Sequence, residues 1–164
     1  MARLDRSDRL HLEAAQGWLG LQNWREANEE LDQITPLLRA HADVLKVRWE
    51  VCAQAKQWEH GLKVANSLTA KTPRDSFGPI RAAHALYQLG RTEAAHDLLS
   101  AVLEQFPKDQ VITYNLACYC CQLGKLKEAM AYVERAIDLA GNNIRQHALG
   151  DKALETLWVN IAEL

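Results

Sequence analysis

The side chains best suited to chemistry are four cysteines and six histidines, and their spacing decides which chemistry is open to them. Cys118 and Cys121 form a CxxC pair, which can supply half of a zinc site or a redox couple. A redox pair takes its low thiol pKa from a helix N-terminus, and this one lies in the middle of an apolar, helix-periodic run. A zinc site needs two further ligands; His84 is the only one on offer, and the set stays incomplete. Cys52 and Cys120 also fall in helical stretches, so the four read as small hydrophobes filling helix interfaces. His11, His41, His60, His84, His96 and His147 fall at unrelated positions and specify no metal. GxSxG, HExxH, GxGxxG and phosphate-loop patterns are absent, and carboxylates such as Glu26, Glu29 and Glu30 read as a solvated helix face. These residues predict no enzyme, no metal and no cofactor.

The elements that carry them are helices. Leu116, Ala117, Cys120 and Leu123 recur at helical spacing, as do Leu126, Ala129, Val133, Ala136 and Ile137 beyond Gly124-Lys125. Gly124 lies 34 positions after Gly90, Ala129 the same distance after Ala95, and Pro107 after Pro73. Such a period marks a helix-turn-helix solenoid, whose units bury their apolar faces only against their neighbours. Four units fit end to end, at 8–41, 42–75, 76–109 and 110–143. Their eighth and twentieth positions pair Ala15 with Ala27, Trp49 with Gly61, Ala83 with Ala95, and Ala117 with Ala129. Small pairs let two helices cross closely; where one partner grows to Trp49, the other shrinks to Gly61, so the summed volume is partly kept.

Composition agrees with one domain over 1–164. Hydrophobic residues make up 48% and charged ones 24%, enough for a core and too apolar for disorder. A net charge of −2 without a basic stripe argues against nucleic acid and anionic membrane as partners. The first residues are charged and lack an apolar segment, so no secretory signal is expected. No run reaches the roughly 18 apolar residues of a spanning helix. A cytoplasmic protein with reduced thiols is the expected setting.

The period, the small eighth and twentieth positions and the glycine and proline punctuation resemble the tetratricopeptide repeat. The stretch NLACYCCQLGKLKEAMAYVERAIDL is nearest to that family's pattern, followed by HALYQLGRTEAAHDLLSAVLEQFP. The resemblance implies an all-α, right-handed superhelical solenoid of antiparallel helix pairs. Units one and two depart from it, with Gln22 and Lys56 in place of the turn glycine. Asn23 is the expected left-handed residue of unit one, and unit two offers no substitute. Pro36 ends the second helix of unit one near Ile34. Arg48 stands where the family buries an apolar residue, leaving the face around Arg48-Trp49 undefined. Pro79 falls in a first helical turn, where its missing N–H is not needed. The tail, 144–164, is expected to be a capping helix laid on the second helix of unit four, through Leu154, Leu157, Trp158, Ile161 and Leu164, with Asp151 as N-cap.

In proteins that resemble this one, first helices line a concave groove for peptides or partner helices. At 100° per residue the second, fifth, ninth and twelfth positions of each unit share that wall. They include Lys46 and Glu50 in unit two, Phe77, Ile80, His84 and Tyr87 in unit three, and Val111, Tyr114, Cys118 and Cys121 in unit four. The later half is apolar and aromatic, which suits an exposed binding surface. Chaperone-cofactor members hold a ligand carboxylate with basic and asparagine side chains. Lys46, Arg81 and Asn115 occupy related positions, but Glu50 opposes them and the clamp is incomplete. The sequence therefore predicts a protein-interaction scaffold that binds a peptide or partner helix on this wall. The alternative is a self-associating or adaptor subunit, including a chaperone-like one, whose groove is filled by its own chain or by a homodimer mate.

Overall fold

The computed structural model describes residues 3–164, which are all-α: among them there is no strand. They form two compact units, one ending at Ala85 and the other beginning at Leu86. The first contains α1 (Arg6–Gly20), α2 (Trp24–Gln33), a 3-10 turn (Pro36–Leu38), α3 (Ala42–Gln54), α4 (Trp58–Lys71) and most of α5 (Phe77–Gln88). The second contains the end of α5, then α6 (Thr92–Leu103), α7 (Gln110–Gln122), α8 (Leu126–Ala140), α9 (Asn142–Gly150), a 3-10 segment (Lys152–Leu157) and α10 (Trp158–Ala162).

Each turn between paired helices uses the same backbone device. The amide of Asn23 donates to the carbonyl of Trp18, Gln57 to Cys52, Arg91 to Leu86 and Lys125 to Cys120, all between 2.8 and 2.9 Å. This six-to-one closure requires a left-handed residue just before the donor. Gly90 and Gly124 supply it with φ of 74° and 73°, where glycine carries no steric cost. In the first two turns Gln22 and Lys56 take it themselves, at φ 60° and 55°. The expectation that Asn23 would be left-handed is thus corrected. Its φ is −103°, and its side chain instead accepts from the Glu26 amide as the N-cap of α2.

The short turns bring α1 onto α2, α3 onto α4 and α7 onto α8. Ala15, Ala27, Ala117 and Ala129 are fully buried. Trp49 is 3% exposed, and a Cβ built on Gly61 would lie 3.6 Å from its Nε1. Arg48 does not disturb this interface, because it turns to α2 and pairs with Asp32 at 2.9 Å and Asn28 at 3.2 Å. Helix α2 ends at Gln33 with Ile34 as cap, and the 3-10 turn begins at Pro36. The buried Asp8 closes that bend by accepting from the Thr35 amide at 2.8 Å. Pro79 lies in the first turn of α5.

The tail departs from expectation. Rather than one capping helix, Gly141 (φ 76°) breaks the chain after α8, α9 packs on α8, and the 3-10 segment packs on the first helix, α7. Leu154, Leu157 and Ile161 are buried as the apolar stripe predicts, whereas Leu164 is exposed. The indole N–H of Trp158 donates to the Ala148 carbonyl at 3.0 Å, and Arg145 donates to the carbonyls of Ile161 and Ala162. These bonds fold α10 back on α9.

The Trp49–Gly61 contact makes a graded test. Gly61→Ala places its methyl at 3.5 Å from Cys52 Cβ, ordinary contact distance, and improves helix propensity by up to about 1 kcal/mol; its denaturation midpoint should hold or rise. Gly61→Leu should cost about 1–3 kcal/mol through overpacking, and Trp49→Ala about 3–5 kcal/mol through a cavity.

Candidate functional site: the first-helix faces

In the first unit, α1, α3 and the N-terminal part of α5 present one face with an aromatic floor and a paired rim. Lys46 on α3 donates to Asp75 at 2.9 Å and lies over the Phe77 ring, 5.3 Å from its centre. Asp75 also accepts from the Phe77 amide at 3.0 Å. The Lys46 ammonium first, and that amide second, hold its carboxyl below the usual range. Arg81 on α5 meets Glu50 on α3 at 3.1 Å, and its guanidinium lies 4.5 Å from the Trp49 ring centre and 4.6 Å from that of Phe77. Glu50 is therefore the partner of Arg81, and both expected cations have a protein carboxylate. That arrangement leaves no open carboxylate clamp.

Two hollows follow this face. One of about 250 Å³ is lined by Gln16, Leu19, Lys46, Val47, Glu50 and Phe77. Another of about 550 Å³ shares Gln16, Lys46 and Val47 and runs on to Leu12, Leu4, Arg3, Arg9 and His41. Ile80 is buried at 9% exposure and contributes little open surface. His84 stands edge-on to two indoles, 5.9 Å from Trp49 and 5.6 Å from Trp58, ring centre to ring centre. Its burial, and then the charge of Arg81, push the imidazole below its ordinary value of 6.5. Trp49, Val47 and Asp75 were missed as parts of this face. Val47 lies one residue from the wall position, and Trp49 reads from its place in the repeat as pure interface.

In the second unit the expected open wall is covered by the chain's own tail. The Tyr114 hydroxyl donates to Asp151 at 2.7 Å, the Cys118 sulfur lies 3.8 Å from the same carboxylate, and the Cys121 sulfur meets Thr156 at 3.0 Å. Cys118 is 7% exposed, Asn115 and Tyr87 are half-buried, and Tyr87 stacks on Tyr119 at 5.2 Å. Val111 stays 45% exposed. The expectation that Tyr114 and Cys118 face an open groove therefore fails, because the 3-10 segment supplies the apolar cover that a last repeat lacks. Asp151 also caps that segment, accepting from the Ala153 amide at 2.9 Å. Burial, followed by the neighbouring Asp151 charge, drives the Cys118 thiol far above its ordinary range, which removes it as a nucleophile. All four cysteines are free thiols.

Paired helices with a recurring left-handed turn and small crossing residues are the geometry of one repeat family, and residues 80–153 match the family model of the tetratricopeptide repeat. Residues 80–153 are tetratricopeptide repeat by that match. Its structure is similar to that of MamA (residue 41 to the end) from Desulfovibrio magneticus RS-1, with a TM-score of 0.75, 17% identity, and 98% of this chain and 92% of that chain covered. It is also similar to TTC0263, a thermophilic tetratricopeptide-repeat protein of Thermus thermophilus, with a TM-score of 0.72, 18% identity, and 94% and 82% covered. At these identities the likeness establishes the fold alone. A search of curated proteins gives no match. Among the described residues, no helix is long and apolar enough to cross a membrane.

Two measurements check this geometry. Asp151→Ala removes the acceptor of Tyr114 and the cap of the 3-10 segment together, and should cost about 1.5–3 kcal/mol in urea unfolding. His84 is a base whose pKa is depressed by folding, so the unfolded chain takes up its proton first. Its contribution is intact above 6.5 and is lost as pH falls from there toward the lower folded value. Between about pH 7.5 and about pH 5.5 the wild type should lose more stability than His84→Gln.

Proposed function

We propose that this protein is a non-catalytic interaction scaffold that holds an apolar segment of a protein partner, extended or helical, on the first-helix face of residues 3–85. The supporting observation is the hollow over Leu19, Val47 and Phe77, open to solvent and rimmed by charges that already have partners. Concave apolar sites with a few fixed polar groups are where ligands bind. Because Lys46 faces Asp75 and Arg81 faces Glu50, a charged ligand group would have to displace a protein carboxylate or ammonium. A neutral apolar side chain meets no such competition, and Phe77, backed by two cations, is the natural anchor. A cytoplasmic setting would keep the four thiols reduced.

The alternative of a groove filled by the chain itself has its own support, confined to the second unit, where Asp151 and Thr156 occupy the α7 face. The two readings combine into one: the tail serves α7, and the partner takes the face of α1, α3 and α5.

Peptides selected from a displayed random library against the whole chain provide the test. Phe77→Ala should weaken the selected peptides at least about tenfold, as loss of an anchor does. Tyr114→Phe should leave their affinity unchanged. Peptides that bind Phe77→Ala as tightly as the wild type, or that depend on Tyr114, would overturn the placement.

A further inference from the structure

His96 on α6, Cys120 on α7 and Glu128 on α8 are 24 and 8 positions apart along the chain, a spacing that matches no metal motif. Folding of the second unit gathers them. One ligand atom from each, the imidazole nitrogen, the thiol sulfur and a carboxylate oxygen, lie within 4.8 Å of one another. Three consecutive helices thus converge on one point, and each brings a different metal-ligating atom.

The histidine adds an independent observation. Its Nε2 is buried and has no hydrogen-bond partner, which costs free energy wherever a polar atom is left unsatisfied. Its other nitrogen, Nδ1, lies 3.2 Å from the Asp97 carboxylate. A proton on Nδ1 directed to that carboxylate leaves the Nε2 lone pair free and pointing inward. This is the tautomer in which a carboxylate orients a metal-bound histidine.

We propose that His96, Cys120 and Glu128 form a binding site for a zinc ion, with water as the fourth ligand. The donor set selects the metal. A thiolate and an imidazole favour a borderline-soft ion such as zinc over magnesium or calcium, which take oxygen donors. Ligand atoms around tetrahedral zinc lie about 3.5 Å apart, given bonds of about 2.0–2.3 Å. Closing the present cluster to that size asks for a movement of roughly 1 Å, which the exposed, flexible Glu128 can supply. Zinc binds Cys120 as the thiolate, so one proton passes to solvent. Two anionic ligands and the dication then leave the site electrically neutral. With the ion in place α6, α7 and α8 are pinned at one point, a structural role separate from the peptide face of the first unit.

Cobalt(II), titrated into the intact reduced protein, is the probe. Expected are tetrahedral d–d bands and a thiolate-to-cobalt charge-transfer band that saturate at one equivalent and are displaced by zinc. Glu128→Gln, a surface change that leaves the fold in place, should weaken cobalt at least tenfold, and Cys120→Ser should abolish the charge-transfer band. The double variant Cys118→Ser with Cys121→Ser should keep it. Zinc, but not magnesium, should raise the melting temperature of the wild type and not that of His96→Ala. Absence of a charge-transfer band in the folded wild type overturns the site. So does a band that survives Cys120→Ser, is lost in the Cys118/Cys121 double variant, or is indifferent to Glu128→Gln.

Discussion

The structure depends on one backbone constraint, the left-handed residue that closes each helix-turn-helix. At positions 22, 56, 90 and 124 the chain must turn within three residues, and the same carbonyl is capped by the same amide every time. The turn fixes the register of the second helix against the first. That register decides which residues cross at close range, and so which residues of the first helix remain for a ligand. Ala15 with Ala27 and Trp49 with Gly61 are consequences of this register. The aromatic floor of Trp49 and Phe77 is another, one step further on.

The turns also show why some of the fold was legible in the sequence and some was not. Gly90 and Gly124 announce the turn because glycine is the usual occupant of positive φ. Gln22 and Lys56 do not, since there the hydrogen bonds of the turn hold an ordinary side chain in a strained well, at a cost of about 1–2 kcal/mol. Arg48 was opaque for a similar reason. Its destination is set by Asp32 and Asn28 on the preceding helix, and pairings across 16 and 20 positions leave no periodic trace. The tail's apolar stripe was readable from its spacing, but the segment that carries it is largely 3-10 rather than α. Periodicity could not tell that it would pack on α7, where Asp151 meets Tyr114, and leave α8 to α9.

The candidate face divides along the same line. Angular position on a helix grouped Lys46, Glu50 and Phe77, the clamp resemblance added Arg81, and in the first unit Lys46 lies over Phe77 while Arg81 meets both Glu50 and Phe77. Angular position says nothing about what arrives later in the chain to cover a face. In the second unit Tyr114 and Cys118 satisfy the wall geometry and are nonetheless closed over by Asp151. Electrostatics add a distinction that composition hides. A chain of net charge −2 holds Lys46 and Arg81 in local pairs with Asp75 and Glu50, which leaves this face little long-range charge.

The central claim, that the tail is an integral cover of the last first-helix face, is open to direct measurement by native-state amide hydrogen exchange on the full chain. The account predicts that amides of α7 and those of the Lys152–Leu157 segment and α10 exchange with matching free energies, and that denaturant raises their exchange along one common line. Tail amides that exchange freely while α7 keeps its protection would contradict it, and the α7 face would then count as open surface.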